Sequence, residues 1–190
     1  MRQQAELFEA PRLPEGFVYL TDFIGEAEEA SLLESIGALP FAQARYRQYT
    51  ARRRVVYFGH AYDFSSNRLD AAPPLPRFLF ALRDKVARWM ALAPDALAHA
   101  LINEYRPGTP LGWHRDAPDF GRVAGVSLGG WARMRFRRYP PRQEKGLELQ
   151  LAPRSAYRME GEARWRWQHS VPPTRTLRYS VTFRTVVLKD

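Results

Sequence analysis

Arg178-Tyr179-Ser180-Val181-Thr182-Phe183-Arg184, near the end of this 190-residue chain, alternates polar and apolar residues without a break. Strand side chains point to opposite faces with period two. Arg178, Ser180, Thr182 and Arg184 therefore face one way, and Tyr179, Val181 and Phe183 the other. The apolar face asks for a core. The polar face carries two arginines, which are costly to bury unpaired. Two arrangements would satisfy them: a solvated outer face, or a dicarboxylate between the two guanidinium groups, which suit bidentate carboxylate recognition. Upstream of this stretch (Leu177 to Leu188) lie Trp165 to Val171, Ala156 to Met159, Leu147 to Leu151, Met134 to Arg138, Val123 to Leu128 and Ala100 to Tyr105. Short strand-like segments at such close intervals, punctuated by Gly and Pro, predict a sandwich or barrel-like β core.

The first half reads differently. Thr21 or Asp22 caps a helix running to about Ala38, with Ala27, Ala30, Leu33 and Ile36 at helical spacing. A second helix opens at Pro76 and gathers Phe78, Leu79, Leu82, Val86, Trp89 and Met90 on one face. Between them, residues 41–58 read as strand and 59–74 as a loop rich in Asp, Ser, Asn and Pro, while 1–16 are an extended lead-in. The class is α+β, mainly β, in a single domain, with both helices against one face of the core.

Composition narrows the chemistry. The chain has no cysteine, which excludes disulfides, iron–sulfur clusters and thiolate-bound zinc, so any metal must be held by His and carboxylate. Lys plus Arg outnumber Asp plus Glu by 29 to 20, and a net charge of +9 favours polyanionic partners. No apolar run approaches the length of a membrane helix or a signal peptide, so the expectation is a soluble, cytoplasmic protein with no membrane association and no obligate protein partner.

The segment from Leu101-Ile102-Asn103-Glu104-Tyr105 to Gly112-Trp113-His114-Arg115-Asp116 carries a His-X-Asp pair just after strand-like sequence. Period two puts both side chains on one side, and imidazole with carboxylate suits a divalent iron. A third ligand is needed from the remaining histidines, His60, His99 and His169. His169 lies on a late strand, and a pair on one strand with a distant His on another makes a facial triad with three open positions. A surface His beside a solvated Asp is the plainer alternative for the pair alone.

Taken together, His114-Arg115-Asp116, the distant His169 and the closing Arg178-to-Arg184 stretch resemble the AlkB family of Fe(II)/2-oxoglutarate dioxygenases. Asn103-Glu104-Tyr105-Arg106-Pro107-Gly108 is similar to the family's block before the metal, and Gly125-Val126-Ser127-Leu128-Gly129 to its Ser-Val-Ser-Leu-Gly strand. The run from Arg53 to Phe64 resembles its segment covering the substrate base. The resemblance implies a double-stranded β-helix (jelly-roll) core, with residues 45–75 covering the substrate and 98–188 forming the metal and cosubstrate core.

The same resemblance implies roles for individual residues. His114, Asp116 and His169 would hold Fe(II). Arg178 would pair with the distal carboxylate of 2-oxoglutarate, aided by Asn103 and Tyr105, with Ser180 where the family commonly has Asn and Arg184 near the chelating end. Arg175 competes with Arg178, but lies beside Pro172 and Pro173, where a turn is expected. Tyr62, Phe64, Arg53, Arg54 and Asp119 would meet the substrate. Pro118 stands where base-repairing members often carry an acid, and Asp119 follows it. The implied activity is O2-dependent demethylation of N-alkylated bases in DNA or RNA, preferably single-stranded, releasing formaldehyde, succinate and CO2. The alternative is the same chemistry on a protein or small molecule.

Overall fold

Thirteen strands and three α-helices follow one another in a computed structural model, which describes residues 13–46, 49–63, 68–141, 143 and 146–187. In chain order they are β1 (Phe17–Leu20), α1 (Glu26–Gly37), β2 (Ala42–Tyr46), β3 (Tyr49–Phe58), β4 (His60–Asp63), β5 (Arg68–Ala71), α2 (Phe80–Trp89), β6 (His99–Tyr105) and β7 (Leu111–His114). Then come β8 (Phe120–Gly129), β9 (Ala132–Arg138), β10 (Leu147–Leu151), β11 (Ala156–Met159), α3 (Gly161–Trp165), β12 (Trp167–Val171) and β13 (Arg178–Val186). No described helix is long and apolar enough to cross a membrane.

The strands form a seven-stranded sheet ordered β1-β11-β8-β13-β6-β3-β2 and a four-stranded sheet ordered β10-β9-β12-β7, with β4 and β5 as a separate hairpin. Alternation along β13 sorts the molecule into layers. Tyr179, Val181 and Phe183 join Ile102 of β6 and Val126 and Leu128 of β8 beneath Leu32 and Ile36 of α1 and Leu82 and Val86 of α2. Burying side chains of this kind stabilises by roughly 1.5–3 kcal/mol each. A second core fills the space between the sheets, where Val123, Tyr157 and Met159 of the large sheet meet Met134, Phe136, Leu151 and Val171 of the small one. Both helices thus cover one face of the large sheet, and the polar face of β13 points into the sandwich. The jelly-roll core expected from sequence is present.

Four local readings differ. Residues 41–58 fold back as the antiparallel pair β2–β3, and 59–74 contain the β4–β5 hairpin. That hairpin leaves the end of β3 through Gly59, whose φ of 75° favours glycine. Helix α1 starts at Glu26 with no side-chain cap, because Asp22 sits at φ 51° in the preceding turn. Residues 161–165 form the single turn α3 ahead of β12. Strands β1 and β7 are four residues each at sheet edges, too short for period two to stand out.

Close approach at Gly125 of β8 is required, since a Cβ there would overlap the ring of Tyr157 on β11. We expect Gly125→Ala to destabilise the fold by about 1–3 kcal/mol through overpacking. Urea melts of wild type and variant check this, and an unchanged midpoint would contradict it.

Candidate active site

Strand register brings the three sequence-distant ligands together. Strand β7 pairs with β12 so that His114 lies opposite His169. Asp116 follows β7 by two residues and returns to the same side. One ligand atom from each of His114, Asp116 and His169 lies within 4.8 Å of the others, the one such cluster found among the described residues. The Nδ1 of His114 is 2.9 Å from the Gly112 carbonyl. A hydrogen bond there places the proton on Nδ1 and leaves the Nε2 lone pair for a ligand. Burial lowers the pKa of both imidazoles, that of His169 to about 3. Neutral His169 Nε2 and Asp116 Oδ2, 3.9 Å apart, are therefore not an ion pair but two adjacent donors.

Burial opposes ionisation of Asp116, yet the Arg184 guanidinium overcomes it and holds the carboxyl well below the usual carboxylate range. Arg184 is the main partner. Its Nε donates to Asp116 Oδ1 at 2.8 Å and its Nη2 lies 2.5 Å from the same oxygen. Its Nη1 lies 2.8 Å from His99 Nε2. His99 Nδ1 in turn is 2.6 Å from the carbonyl of His60. This assigns one tautomer: Nδ1–H donates to His60, and Nε2 accepts from Arg184. Burial and then Arg184 lower the pKa of His99 to about 3, consistent with a neutral ring. His99, one of the histidines available as a third ligand, holds Arg184 instead. Its signal, one histidine on the polar face of a strand pairing with the Arg178–Arg184 strand, needs the register His99↔Arg184 to be seen.

Arg178 lies at the other end of the same strand face, 1% exposed. Its Nε donates to Ser127 Oγ at 3.0 Å, its guanidinium lies 5.0 Å from the Tyr105 ring centre, and its Nη1 has no hydrogen-bond partner. No carboxylate faces it among the described residues. Asn103, Tyr105 and Ser180 line the same inner cavity, with His114, Asp116 and His169 at its far side. Arg175 is exposed, which decides between the two arginines in favour of Arg178. The two arginines of β13 do not share one anion as alternation alone suggested. Arg184 spends its fork on Asp116 and His99, and Arg178 alone is left with donor capacity.

The inner cavity opens past the triad into a cleft of about 430 Å³. Tyr57, Tyr62, His99, Trp113 and Phe120 supply its aromatic walls. Tyr62, on β4, lines the cleft. Phe64 lies outside the described residues. Arg53 and Arg54 part company, because neighbours on a strand face opposite ways. Arg53 is buried at the junction of cavity and cleft, where its Nη1 donates to Asn103 Oδ1 at 2.8 Å. Arg54 lies on the other face, bound through Nε and Nη2 to the two oxygens of Glu104 at 2.7 and 2.8 Å. The expectation that Arg54 meets substrate is therefore corrected. Asp119 is also buried away from the lining of cavity and cleft, so it does not take the place of the acid missing at Pro118.

The profile of the 2OG-Fe(II) oxygenase superfamily matches residues 16–184. The chain belongs to that superfamily. The oxygenase is 30% identical over 172 residues to the tRNA (carboxymethyluridine(34)-5-O)-methyltransferase alkbh8 of Xenopus tropicalis, covering 86% of this chain and 26% of that protein. It is 28% identical over 181 residues to the alkylated DNA repair protein ALKBH8 homolog of Arabidopsis thaliana, covering 83% of this chain and 51% of that one. The chain thus spans a quarter to a half of these relatives. The structure of OsALKBH1 superposes with a TM-score of 0.72 at 17% identity, covering 94% of this chain and 98% of that one, which shows the shared fold. The oxygenase is AlkB-like, and its superfamily uses Fe(II), 2-oxoglutarate and O2.

The residues present fit those groups. Two neutral imidazoles and an ionised carboxylate are a donor set for a divalent iron. A buried guanidinium with an orphaned Nη1 is a costly feature that an anion would relieve.

The buried histidines also set a pH dependence. An unfolded His99 or His169 takes up a proton near pH 6.5, whereas the folded one resists until about pH 3. Between these values the unfolded chain binds more protons, so stability falls as the pH falls, by up to about 1.4 kcal/mol per pH unit per histidine. We expect metal-free oxygenase to melt progressively lower from pH 7 to 5, and His99→Gln to show a shallower decline. Equal slopes in thermal melts would remove His99 from this account.

Proposed function

We propose that this oxygenase removes N-linked alkyl groups from bases in single-stranded nucleic acid. The observation that carries the reading is the aromatic cleft of about 430 Å³, which reaches His114 and Asp116 at its floor. A planar base fits between such walls, and a base in a single strand reaches them without leaving a duplex stack. The names of the Xenopus and Arabidopsis relatives, which concern tRNA and alkylated DNA, support the polynucleotide class.

His114, Asp116 and His169 would hold Fe(II), with Arg184 fixing the ligating oxygen of Asp116. Arg178 would receive the distal carboxylate of 2-oxoglutarate through its unused Nη1, beside Asn103, Tyr105 and Ser180. Bound Fe(II) with 2-oxoglutarate and O2 supplies the oxidation: one oxygen atom enters an N-methyl C–H bond, and the other leaves in succinate formed with CO2. The resulting N-hydroxymethyl base returns its hydroxyl proton to the nitrogen and releases formaldehyde. The chain's part is to orient both substrates and exclude water, and no side chain need act as acid or base. Tyr62 and Trp113 would flank the base at the mouth of the cleft.

His114→Ala, Asp116→Ala and His169→Ala should each lose Fe(II) binding and formaldehyde release while keeping the fold by circular dichroism. Full activity in any of them would remove that residue from the site. Arg178→Ala should raise the 2-oxoglutarate concentration needed for half-maximal rate by about a hundredfold or more, since deleting one partner of a desolvated charge pair costs roughly 3–5 kcal/mol. A screen of methylated DNA and RNA oligonucleotides for formaldehyde tests the substrate. Release from none of them, with succinate formation stimulated by a peptide or metabolite, would move the same chemistry to that substrate.

A further inference from the structure

Among the described residues no helix lies over the outer face of the four-stranded sheet, which carries an arginine ladder. Arg133, Arg135 and Arg137 alternate along β9 with the buried Ala132, Met134 and Phe136. Heads two residues apart on a strand are spaced at about 6.5 Å. On β12, the neighbours of Arg135 and Arg137 in register are Ser170 and Gln168, which are uncharged. Arg135 Nε donates to Ser170 Oγ at 3.2 Å, and Arg137 Nε to Gln168 Oε1 at 2.7 Å. Both side chains then reach across β12 to Trp113 of β7, with guanidinium carbons 5.1 and 4.5 Å from its ring centre.

Those internal bonds use only the Nε of each fork. Among the described residues, neither Arg135 nor Arg137 has an ion-pair partner, and neither donates through its Nη groups. Among the described residues one acid, Glu148 of the edge strand β10, lies on this face; it is opposite Arg135 in register, and its carboxylate is paired with Arg133 at 3.5 Å. Trp113 also walls the active-site cleft. Beside it, Arg115 stacks on Tyr139 at 3.8 Å and lines the same cleft. The cations thus run from the sheet face to the mouth of the cleft. Guanidinium forks held flat on an indole, with paired donors unspent, suit phosphates.

We infer that this sheet face binds the sugar–phosphate backbone of the strand whose base enters the cleft, with Arg135 and Arg137 each taking a phosphate. The inference rests on the nucleic-acid reading of the cleft. It places the phosphates on β9 and away from Arg54 of β3, which is committed to Glu104.

The test is fluorescence anisotropy with labelled, unmethylated single-stranded DNA and RNA oligonucleotides, titrated onto the full chain at several salt concentrations. The double variant Arg135→Gln/Arg137→Gln should bind about tenfold more weakly, and its plot of log affinity against log salt should be shallower by about 1.4, the value for two phosphate contacts on a single strand. Arg133→Gln should leave both quantities near wild type. Arg135→Lys/Arg137→Lys keeps both charges and should keep most of the slope. A lysine pair as damaging as the glutamine pair would mean that the arginines act by packing on Trp113, and would overturn the inference. So would a glutamine pair with wild-type affinity and slope in a protein that still releases formaldehyde from methylated oligonucleotide. If wild type binds no oligonucleotide, the nucleic-acid reading of the cleft fails and takes this surface with it.

Discussion

The inner face of β13 buries two guanidinium groups, and much of the site follows from how each is answered. Arg184 is met by Asp116, whose carboxylate stays ionised because of it. Arg178 has a serine hydroxyl and an aromatic face but no carboxylate among the described residues. A folded chain tolerates one uncompensated buried cation only at a cost that an anionic ligand removes. The same strand face therefore holds one arginine that serves the protein's own carboxylate and one whose Nη1 has no hydrogen-bond partner. Both must be well placed, and β13 sits between β6 and β8 in the middle of the large sheet, with its other face under the helix-covered core.

Much of this was legible because it is periodic. The alternation at Arg178–Arg184 assigned every side chain of that stretch to its correct face, and the string of short strands gave the sandwich. The apolar stripe of α2 was equally plain. What escaped depends on pairing between distant segments. Arg53 and Arg54 look alike as neighbours in a basic run. Only the position of β3 beside β6 sends one toward Asn103 and the other to Glu104. The role of His99, by sequence only one of the histidines available as third ligand, was hidden for the same reason, since it exists only opposite Arg184. Asp119 was a guess from spacing after the metal-binding pair. The turn that carries it is held by Arg164, whose guanidinium donates to the carbonyls of Ala117, Phe120 and Gly121, and which had no local signature.

His99 also joins parts of the molecule that the sequence keeps apart. One nitrogen holds the carbonyl of His60 at the start of β4, the strand that carries Tyr62, and the other holds the arginine that holds Asp116. The ring lies 4.3 Å from that of Phe120 and forms part of the cleft wall. A shift of the β4–β5 hairpin would therefore be felt through three hydrogen bonds in series at a carboxylate of the proposed metal site. That is a physical link, and whether substrate entry uses it is a matter of coupling energy, to be read from double-mutant cycles and not from adjacency.

The two sheets divide the work according to what covers them. The large sheet is closed by helices outside and by the second core inside, so its side chains are fixed by packing and can keep buried charges in place. The small sheet has apolar packing on its inner face only. Its outer face meets solvent, where arginines cost little to display and their attraction for phosphate is tuned by salt. His114 and His169 belong to this sheet, on strands whose outward neighbours are Trp113, Gln168 and Ser170. The proposed iron ligands and the arginines of β9 are thus on opposite faces of the same sheet. The cleft is lined by Leu111, Trp113 and His114 of β7, so on the proposed function a backbone lying along the outside would need only to turn over that edge to deliver a base to the centre.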